Sequence, residues 1–277
     1  MAGNDWMGLL DGVTRRRPIT RLVIPGTHDT GAYMYCNTPM VRAQSLSIAQ
    51  QLDAGVRALD LRVGVAYFST TYWIFHGPVN LDVSVQSAID DVVNFLTANP
   101  TETVIIMLKQ ETGKPDISGP INQIVNTALG GVLLRRNDHR LHWPSQEECA
   151  GRALVFSRMR NPHAHHYDTR GWNANSAGMT VNVGGALRLR VQDLYESPPV
   201  TVKRMAIRSS FADAEDSEDP KVLFLNFTSF VWKPYEPLNI GPDTNTFIRV
   251  IGMTGKGVVC VDAANATILN YLIGLNS

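Results

Sequence analysis

The sequence predicts an α/β fold built as one parallel (β/α)8 barrel over residues 1–277. Three observations predict it. Short apolar runs recur along the chain, and each stops on a charged or hydrogen-bonding residue. Most are separated by segments long enough for a crossover helix. No linker-like or low-complexity stretch divides the 277 residues, a length close to the roughly 250 that such barrels commonly fill as a single domain.

The first run, Leu22-Val-Ile-Pro-Gly-Thr27, leads straight into His28-Asp29-Thr-Gly31. An imidazole and a carboxylate thus fall at a strand end, where barrel enzymes keep their chemistry. Arg57-Ala-Leu-Asp60-Leu-Arg62 alternates at period two, which puts Asp60 and Arg62 on one face. Tyr72-Trp-Ile-Phe-His76 is aromatic and β-branched and closes on Gly77-Pro78. Thr103 to Lys109 is a continuous apolar run of the buried parallel type. Ala153–Arg158, Leu189–Tyr195, Val222–Asn226 and Gly257–Asp262 bring the count of predicted strands to eight. Helical spacing through Gln44, Leu46, Ile48, Gln51 and Leu52 predicts a helix over Ala43–Ala54, stopping at Gly55. Ser84–Ala98 carries Val85, Ile89, Val92, Val93 and Leu96 on one face and ends before Asn99-Pro100. Pro199–Phe211 and Asn265–Leu275 read as further helices. From Arg135 to Gly184 periodicity is poor and His, Arg, Asn and Gly are frequent, so this region reads as long rim loops around one short strand.

Composition excludes several classes. The 25 Lys and Arg balance the 25 Asp and Glu, so the summed field favours neither nucleic acid nor a strongly anionic surface. No run approaches the roughly 20 apolar residues of a membrane span, and the N-terminus lacks a charged-then-apolar signal pattern. Cys36, Cys149 and Cys260 are an odd, widely spaced set that reads as three reduced thiols, Cys260 within a core strand. His139, His142, His163, His165 and His166 sit in the loop region without the spacing that preorganises metal ligands. Arg15-Arg16-Arg17 reads as a solvated turn before Pro18.

The chemistry gathers at His28 and His76. Two histidines on different strands can supply one proton acceptor and one donor near neutral pH. The segments that carry them, with their neighbours, resemble the bacterial phosphatidylinositol-specific phospholipase C family. The matching stretches are Ile24-Pro-Gly-Thr-His28-Asp29-Thr-Gly31, Gly55-Val-Arg-Ala-Leu-Asp60-Leu-Arg62, Phe75-His76-Gly-Pro78, Asn99-Pro-Thr-Glu102 through Lys109, and Val191-Gln-Asp193-Leu-Tyr195. Trp6-Met7, Asn226-Phe-Thr-Ser229 and the last strand at Asp262 extend the likeness over nearly the whole chain; it is weakest between Arg135 and Ala186.

The resemblance implies a distorted TIM-type barrel that cleaves phosphatidylinositol to diacylglycerol and inositol 1,2-cyclic phosphate. Carried over residue by residue, His28 is the general base toward the inositol 2-hydroxyl and His76 the general acid toward the leaving diacylglycerol oxygen. Asp262 fixes the His28 tautomer, Asp29 supports His76 and the neighbouring cation, and Arg62 donates to the phosphoryl oxygens. Lys109, Arg158 and Asp193 hold inositol hydroxyls, Tyr195 offers a ring face, and Asp60 is a further substrate-binding residue; apart from the resemblance, Asp60 and Arg62 on one strand face read equally as a structural ion pair. Calcium-dependent relatives carry carboxylates where this chain has Arg62 and Lys109, and calcium needs several oxygen ligands. We therefore expect no metal and no other cofactor.

The resemblance further implies a monomer that contacts a membrane surface transiently through apolar groups at the barrel mouth, with candidates Tyr33, Met34, Tyr35, Met40, Phe230, Val231, Trp232 and Tyr235. Family members are usually exported, whereas this sequence shows no signal pattern; either residue 1 marks a trimmed start or this member works inside cells. Two other readings compete. One is a metal-dependent barrel phosphodiesterase acting on glycerophosphodiesters or sphingomyelin. The other is a silent barrel that only binds inositol lipid, against which the presence of both histidines argues.

Overall fold

The computed structural model describes residues 3–33, 41–66, 69–112, 115–231, 237–252 and 255–277. The first helix, α1 (Gly12–Arg16), starts at Asp11, whose carboxylate accepts from the backbone N–H of Val13 and Thr14. A cap of this kind contributes about 1 kcal/mol. Strand β1 (Val23–Thr27) is buried along its length. Helix α2 (Ile48–Asp53) opens with a reciprocal Ser47–Gln50 capping box and so begins five residues later than the helix expected from Ala43. The N–H groups of Ala43 and Gln44 are bonded instead to Ala32 O, which holds that stretch out of the helix.

Strand β2 (Ala58–Val65) is followed by β3 (Tyr72–His76) and β4 (Val79–Ser84), and Ser84 caps α3 (Val85–Ala98). Then come β5 (Thr103–Gln110), α4 (Ser118–Leu129), α5 (Gln146–Cys149), β6 (Arg152–Ser157), β7 (Tyr167–Asp168), β8 (Ser176–Gly184) and β9 (Leu187–Asp193). Helix α6 (Val200–Asp216), β10 (Val222–Phe227), α7 (Pro237–Val250), β11 (Gly257–Val261) and α8 (Ala266–Gly274) close the chain. Asn265 caps α8 by accepting from Thr267 and Ile268 N–H.

Eight strands run parallel in the order β7-β6-β5-β2-β1-β11-β10-β9, and β8 lies antiparallel outside β9. The ladder does not join β7 to β8, so the barrel is nearly closed and not fully closed. Side chains alternate across the wall. Ile24, Ala58, Ile105, Met107, Leu154, Phe156, Leu189, Val191, Leu225, Val258 and Cys260 pack inside. Their neighbours Leu59, Leu61, Ile106, Val155 and Val259 pack outward against Ile48, Leu52, Ile89, Val92, Ile121 and Leu272 of the helices.

The structure corrects four expectations. Tyr72–His76 is not a barrel strand: it pairs antiparallel with the far end of β2 and with β4, making a hairpin arm. The eighth parallel strand is the two-residue β7, too short to leave a periodic signal. The Arg135–Gly184 region holds α5, β6, β7 and the nine-residue β8, so it is more than loops around one strand; β8 opens on the small, largely exposed Ser176-Ala177-Gly178 and buries only Val181 and Val183 fully, which leaves little apolar pattern to read. Helix α6 continues to Asp216, five residues past Phe211. Helices α4 and α7 were not anticipated, the first carrying only the narrow stripe Ile121, Val125 and Leu129, the second holding an internal Pro242.

At the barrel end opposite the strand exits, Arg57 and Glu102 form a fully buried ion pair at 2.8 Å. Arg57 also donates to Leu52 O, Val56 O and Gly3 O, and the Glu102 carboxylate accepts from Met7 and Gly8 N–H. The pair straps the N-terminal segment across the barrel floor. Cys149 and Cys260 are buried and free; Cys36 lies outside the described residues. Among the described residues, no helix is long and apolar enough to cross a membrane.

Candidate active site

Period-two alternation carries the inward faces of the strands up to the mouth of the barrel. Beyond Ile24 the inward positions include His28; beyond Ala58 they are Asp60 and Arg62; beyond Met107, Lys109 and Glu111. In the same way Phe156 leads to Arg158, Val191 to Asp193, and Cys260 to Asp262. Apolar residues give way to charged ones where the strands leave the core, so one pleat delivers most of the predicted residues to one mouth of the barrel. A cleft of about 220 Å³ there is lined by His28, Arg62, His76, Lys109, Glu111 and Tyr195, among others.

His28 stands just past β1. Its Nδ1 donates to Asp262 Oδ1 at 2.9 Å, its Nε2 lies 3.2 Å from Asp29 Oδ2, and the ring meets Phe227 edge to face. Burial disfavours the imidazolium, but Asp29 and Asp262 outweigh it and push the pKa up to about 9. His76 reaches the same place from a different element. Strand β3 returns antiparallel from the top of β2, so its last residue comes back to the barrel mouth, where Gly77 turns the chain with φ of 55°. His76 Nδ1 lies 2.7 Å from Val41 O. A carbonyl only accepts, so Nδ1 carries the proton and Nε2 is the exchanging nitrogen. That Nε2 is 3.5 Å from Asp29 Oδ2.

Asp29 is therefore shared by both histidines. It adopts a left-handed backbone with φ of 42°, a conformation that Asp tolerates better than most residues, and its N–H donates to Asp60 Oδ2. Arg62 Nε sits 2.8 Å from Asp29 Oδ1 and, with Nη2, donates to Asp60 Oδ2 at 3.2 Å. Burial works against the Asp29 carboxylate; Arg62 and the two histidines overcome it and hold its pKa well below the ordinary value. The Asp29 and Asp60 carboxylates hold the partly buried Arg62 guanidinium firmly charged against desolvation.

The remaining predicted residues divide into two groups. Lys109 lines the cleft with its Nζ 2.7 Å from Glu111 Oε2, and Tyr195 lines it from the other side. Arg158 and Asp193 sit deeper and are joined by Trp172. The guanidinium of Arg158 stacks 4.4 Å over the Trp172 ring, and Trp172 Nε1 donates to Asp193 Oδ2. Burial pushes the Asp193 carboxyl up despite the cations of Arg62 and Arg158.

Sequence reasoning missed Glu111, Trp172 and Lys203. Glu111 accepts from Gly77 N–H and lies 3.5 Å from Arg62 Nη1, so it ties β5 to the His76 turn. Its position two beyond Lys109 was the available signal. Lys203 is fully buried. Its Nζ donates to Leu194 O, Phe227 O and Gln192 Oε1, and burial pushes its pKa down to about 7. No sequence pattern marks a helix lysine as inward-facing. Of the apolar rim candidates, Phe230 is buried and lines the cleft, which corrects its expected exposure; Tyr33 packs partly against the core and Val231 is half-buried. Met34, Tyr35, Met40, Trp232 and Tyr235 lie outside the described residues.

Among the described residues, one group of side chains has the spacing to hold a cation. Ligand atoms of His28, Asp29 and Asp60 lie within 4.8 Å of one another. Both carboxylates already contact the Arg62 guanidinium, so a divalent ion would face that fixed positive charge.

Comparison with known proteins identifies the family and the fold. Residues 16–159 match the family model described as phosphatidylinositol-specific phospholipase C, X domain. Over 98% of its length the chain is 27% identical to a 1-phosphatidylinositol phosphodiesterase of Listeria monocytogenes, 84% of which is covered. Over 96% it is 24% identical to the protein of the same name in Staphylococcus aureus, with 90% covered. The solved phosphatidylinositol-specific phospholipase C of Listeria monocytogenes superposes with a TM-score of 0.79 at 25% identity, covering all of both chains. That of Staphylococcus aureus gives 0.84 at 23% identity, covering 100% of this chain and 98% of the other.

Proposed function

The chain belongs to the phosphatidylinositol-specific phospholipase C X-domain family, and on that premise we propose that it cleaves phosphatidylinositol to diacylglycerol and inositol 1,2-cyclic phosphate without a metal ion. One observation carries the mechanism: a single carboxylate, Asp29, lies within 3.5 Å of the exchanging nitrogens of two histidines and within 2.8 Å of a guanidinium. Attack of the inositol 2-hydroxyl on phosphorus needs a proton acceptor on one side and a donor to the leaving oxygen on the other. With Nδ1 committed to Asp262, His28 accepts at Nε2 in its neutral form, whose share grows as pH rises toward about 9. With Nδ1 committed to Val41 O, His76 in its protonated form donates from Nε2.

Arg62 supplies the fixed charge. Its guanidinium is held by Asp29 and Asp60, needs no reorganisation, and stabilises the negative charge that grows on the phosphoryl oxygens. Lys109, paired with Glu111, and Tyr195 face the inositol ring, with Arg158 and Asp193 deeper in the same wall. The lipid substrate implies transient contact with a membrane surface at this mouth, where Tyr33 and Val231 are the described rim candidates.

Incubation with labelled phosphatidylinositol in excess chelator, followed at early times by phosphorus NMR, tests the proposal. Cyclic phosphate as the first product is expected, with no cleavage of the 2-O-methyl ether. Acyclic inositol phosphate as the first product, or activity only when calcium is restored, would overturn it in favour of the metal-dependent reading. No turnover of any inositol phosphodiester would leave a binding barrel.

A further inference from the structure

We propose that Gln44 is a positioning residue for the His28–Asp262 pair, a role that rests on the function proposed above. Its side chain is fully buried, and every polar group on it is committed to the backbone around that pair. Nε2 donates to His28 O and to Val261 O, both at 2.9 Å, while Oε1 accepts from Ala264 N–H at 3.2 Å.

The location explains the need. The β1–β11 ladder ends at Thr27 and Val261, and the two residues that must meet, His28 and Asp262, each stand one position beyond it. Past that point the main chains part. One backbone bond, His28 N–H to Val261 O at 3.1 Å, continues the pairing, and Ala263 then turns away with φ of 50°, a left-handed conformation uncommon for a residue with a Cβ. Gln44 bridges the divergence like an extra rung, holding the His28 carbonyl on one side and the Val261 and Ala264 backbone on the other. The neighbouring Ala43 O accepts from Ala263 N–H at 2.8 Å. From the opposite side Asn245 Nδ2 donates to Asp262 O at 2.9 Å. The 2.9 Å contact between imidazole and carboxylate thus hangs on two backbones that one carboxamide fixes together.

Without the carboxamide, His28 O and Val261 O lose a shared donor in a site closed to water, and the strand exits are free to separate. An error on the order of 1 Å in such a contact lowers turnover about 10²-fold. The charged groups that face His28 are Asp29 on its own turn, Asp262 after β11, Arg62 on β2 and Asp193 on β9. Of these, Asp262 is the one whose contact the bridge controls.

The test compares Gln44→Met, which keeps length and loses all three bonds, with Gln44→Glu, which keeps the volume and the acceptor for Ala264 and loses the donor when ionised. The control is Gln146→Met. Gln146 is an equally buried carboxamide, bonded to Thr101 O and Arg15 Nε near the barrel floor. Expected for Gln44→Met is a fall of about 10- to 10²-fold in kcat/KM, with the ascending limb of the pH profile displaced to lower pH because His28 loses its hold on Asp262. Gln146→Met should lose stability and keep the wild-type profile. A wild-type rate and profile in whichever Gln44 variant folds, judged by circular dichroism, would overturn the inference. His28→Ala and Asp262→Asn run alongside separate the two levels. If they turn over normally, the catalytic assignment itself is wrong; if they are impaired while Gln44→Met is not, only the role of Gln44 falls.

Discussion

Arg62 Nε lies 2.8 Å from Asp29 Oδ1, and the proposal that the site works without a metal ion rests on this contact. The guanidinium stands on the two carboxylates that a divalent ion would require. Activity should therefore survive an excess of chelator and should not rise with added calcium. Removing the guanidinium with Arg62→Ala should lower kcat by about 10²–10³-fold, the scale of losing one preorganised oxyanion donor. Arg62→Lys should recover only part, because an ammonium lacks the planar fork. Strong stimulation of the wild type by calcium or magnesium would sink the argument.

His28→Ala and His76→Ala should each reduce turnover by about 10²–10⁴-fold or more. The double variant should lose little beyond the worse single one, since acid and base act in one step. Both residues lie at strand ends, so far-ultraviolet circular dichroism should remain that of the wild type. Near-normal kcat in either single variant would remove that residue from the mechanism.

His28 also links stability to pH. Its folded pKa of about 9 lies above the unfolded value of 6.5; burial opposes the shift, and Asp29 and Asp262 outweigh it. The imidazolium therefore contributes stability that is fully present below pH 6.5 and is lost as pH rises through about 9, on the order of 3 kcal/mol in total. Urea unfolding at pH 6 and pH 9.5 should show a larger loss for the wild type than for His28→Gln. Equal losses would mean that the carboxylates do not hold the proton as described.

Glu102→Ala should destabilise the fold by about 3–5 kcal/mol, because it leaves the Arg57 guanidinium charged and unpaired in the barrel floor. The Met7 and Gly8 N–H groups lose their acceptor as well. Specific activity of the folded fraction should stay close to wild type, since the pair lies at the opposite end from the cleft. Chemical denaturation followed by tryptophan fluorescence reads the first effect and an assay below the transition the second.

Much of the candidate site was legible because each apolar run stops on a charged or hydrogen-bonding residue, which gathers Arg62, Lys109, Arg158, Asp193 and Asp262 at one rim, and the family resemblance supplied their roles; in the structure one rule, alternation along a strand, turns these residues and Asp60 inward. The same rule reached Glu111, which was passed over because the apolar run stops at Lys109. His76 was chosen as a candidate and does reach the cleft, while its strand was misplaced: an aromatic, β-branched run reads the same whether its partner is parallel or antiparallel. Gln44 shows the opposite failure. Its spacing suits a helix, but Ala32 O captures its N–H, and a contact between residues 12 apart leaves no periodic trace. The two residues of β7 are strand only because β6 lies beside them.

The hairpin of β3 and β4 has a consequence for how such an enzyme can change. Strand β2 joins the barrel through Ala58–Val63 on β5, whereas β3 attaches higher up, through Val63–Val65. One of the two histidines is thus mounted on an appendage and the other on the wall. Under the proposed function, an inherited change of length or sequence in the arm would retune or abolish delivery of the proton to the departing lipid while the wall residues Arg62, Lys109 and Tyr195 keep their places. On that reading, turnover depends on the arm and the wall together, whereas recognition depends chiefly on the wall, so a descendant with a shortened arm would lose the first before the second.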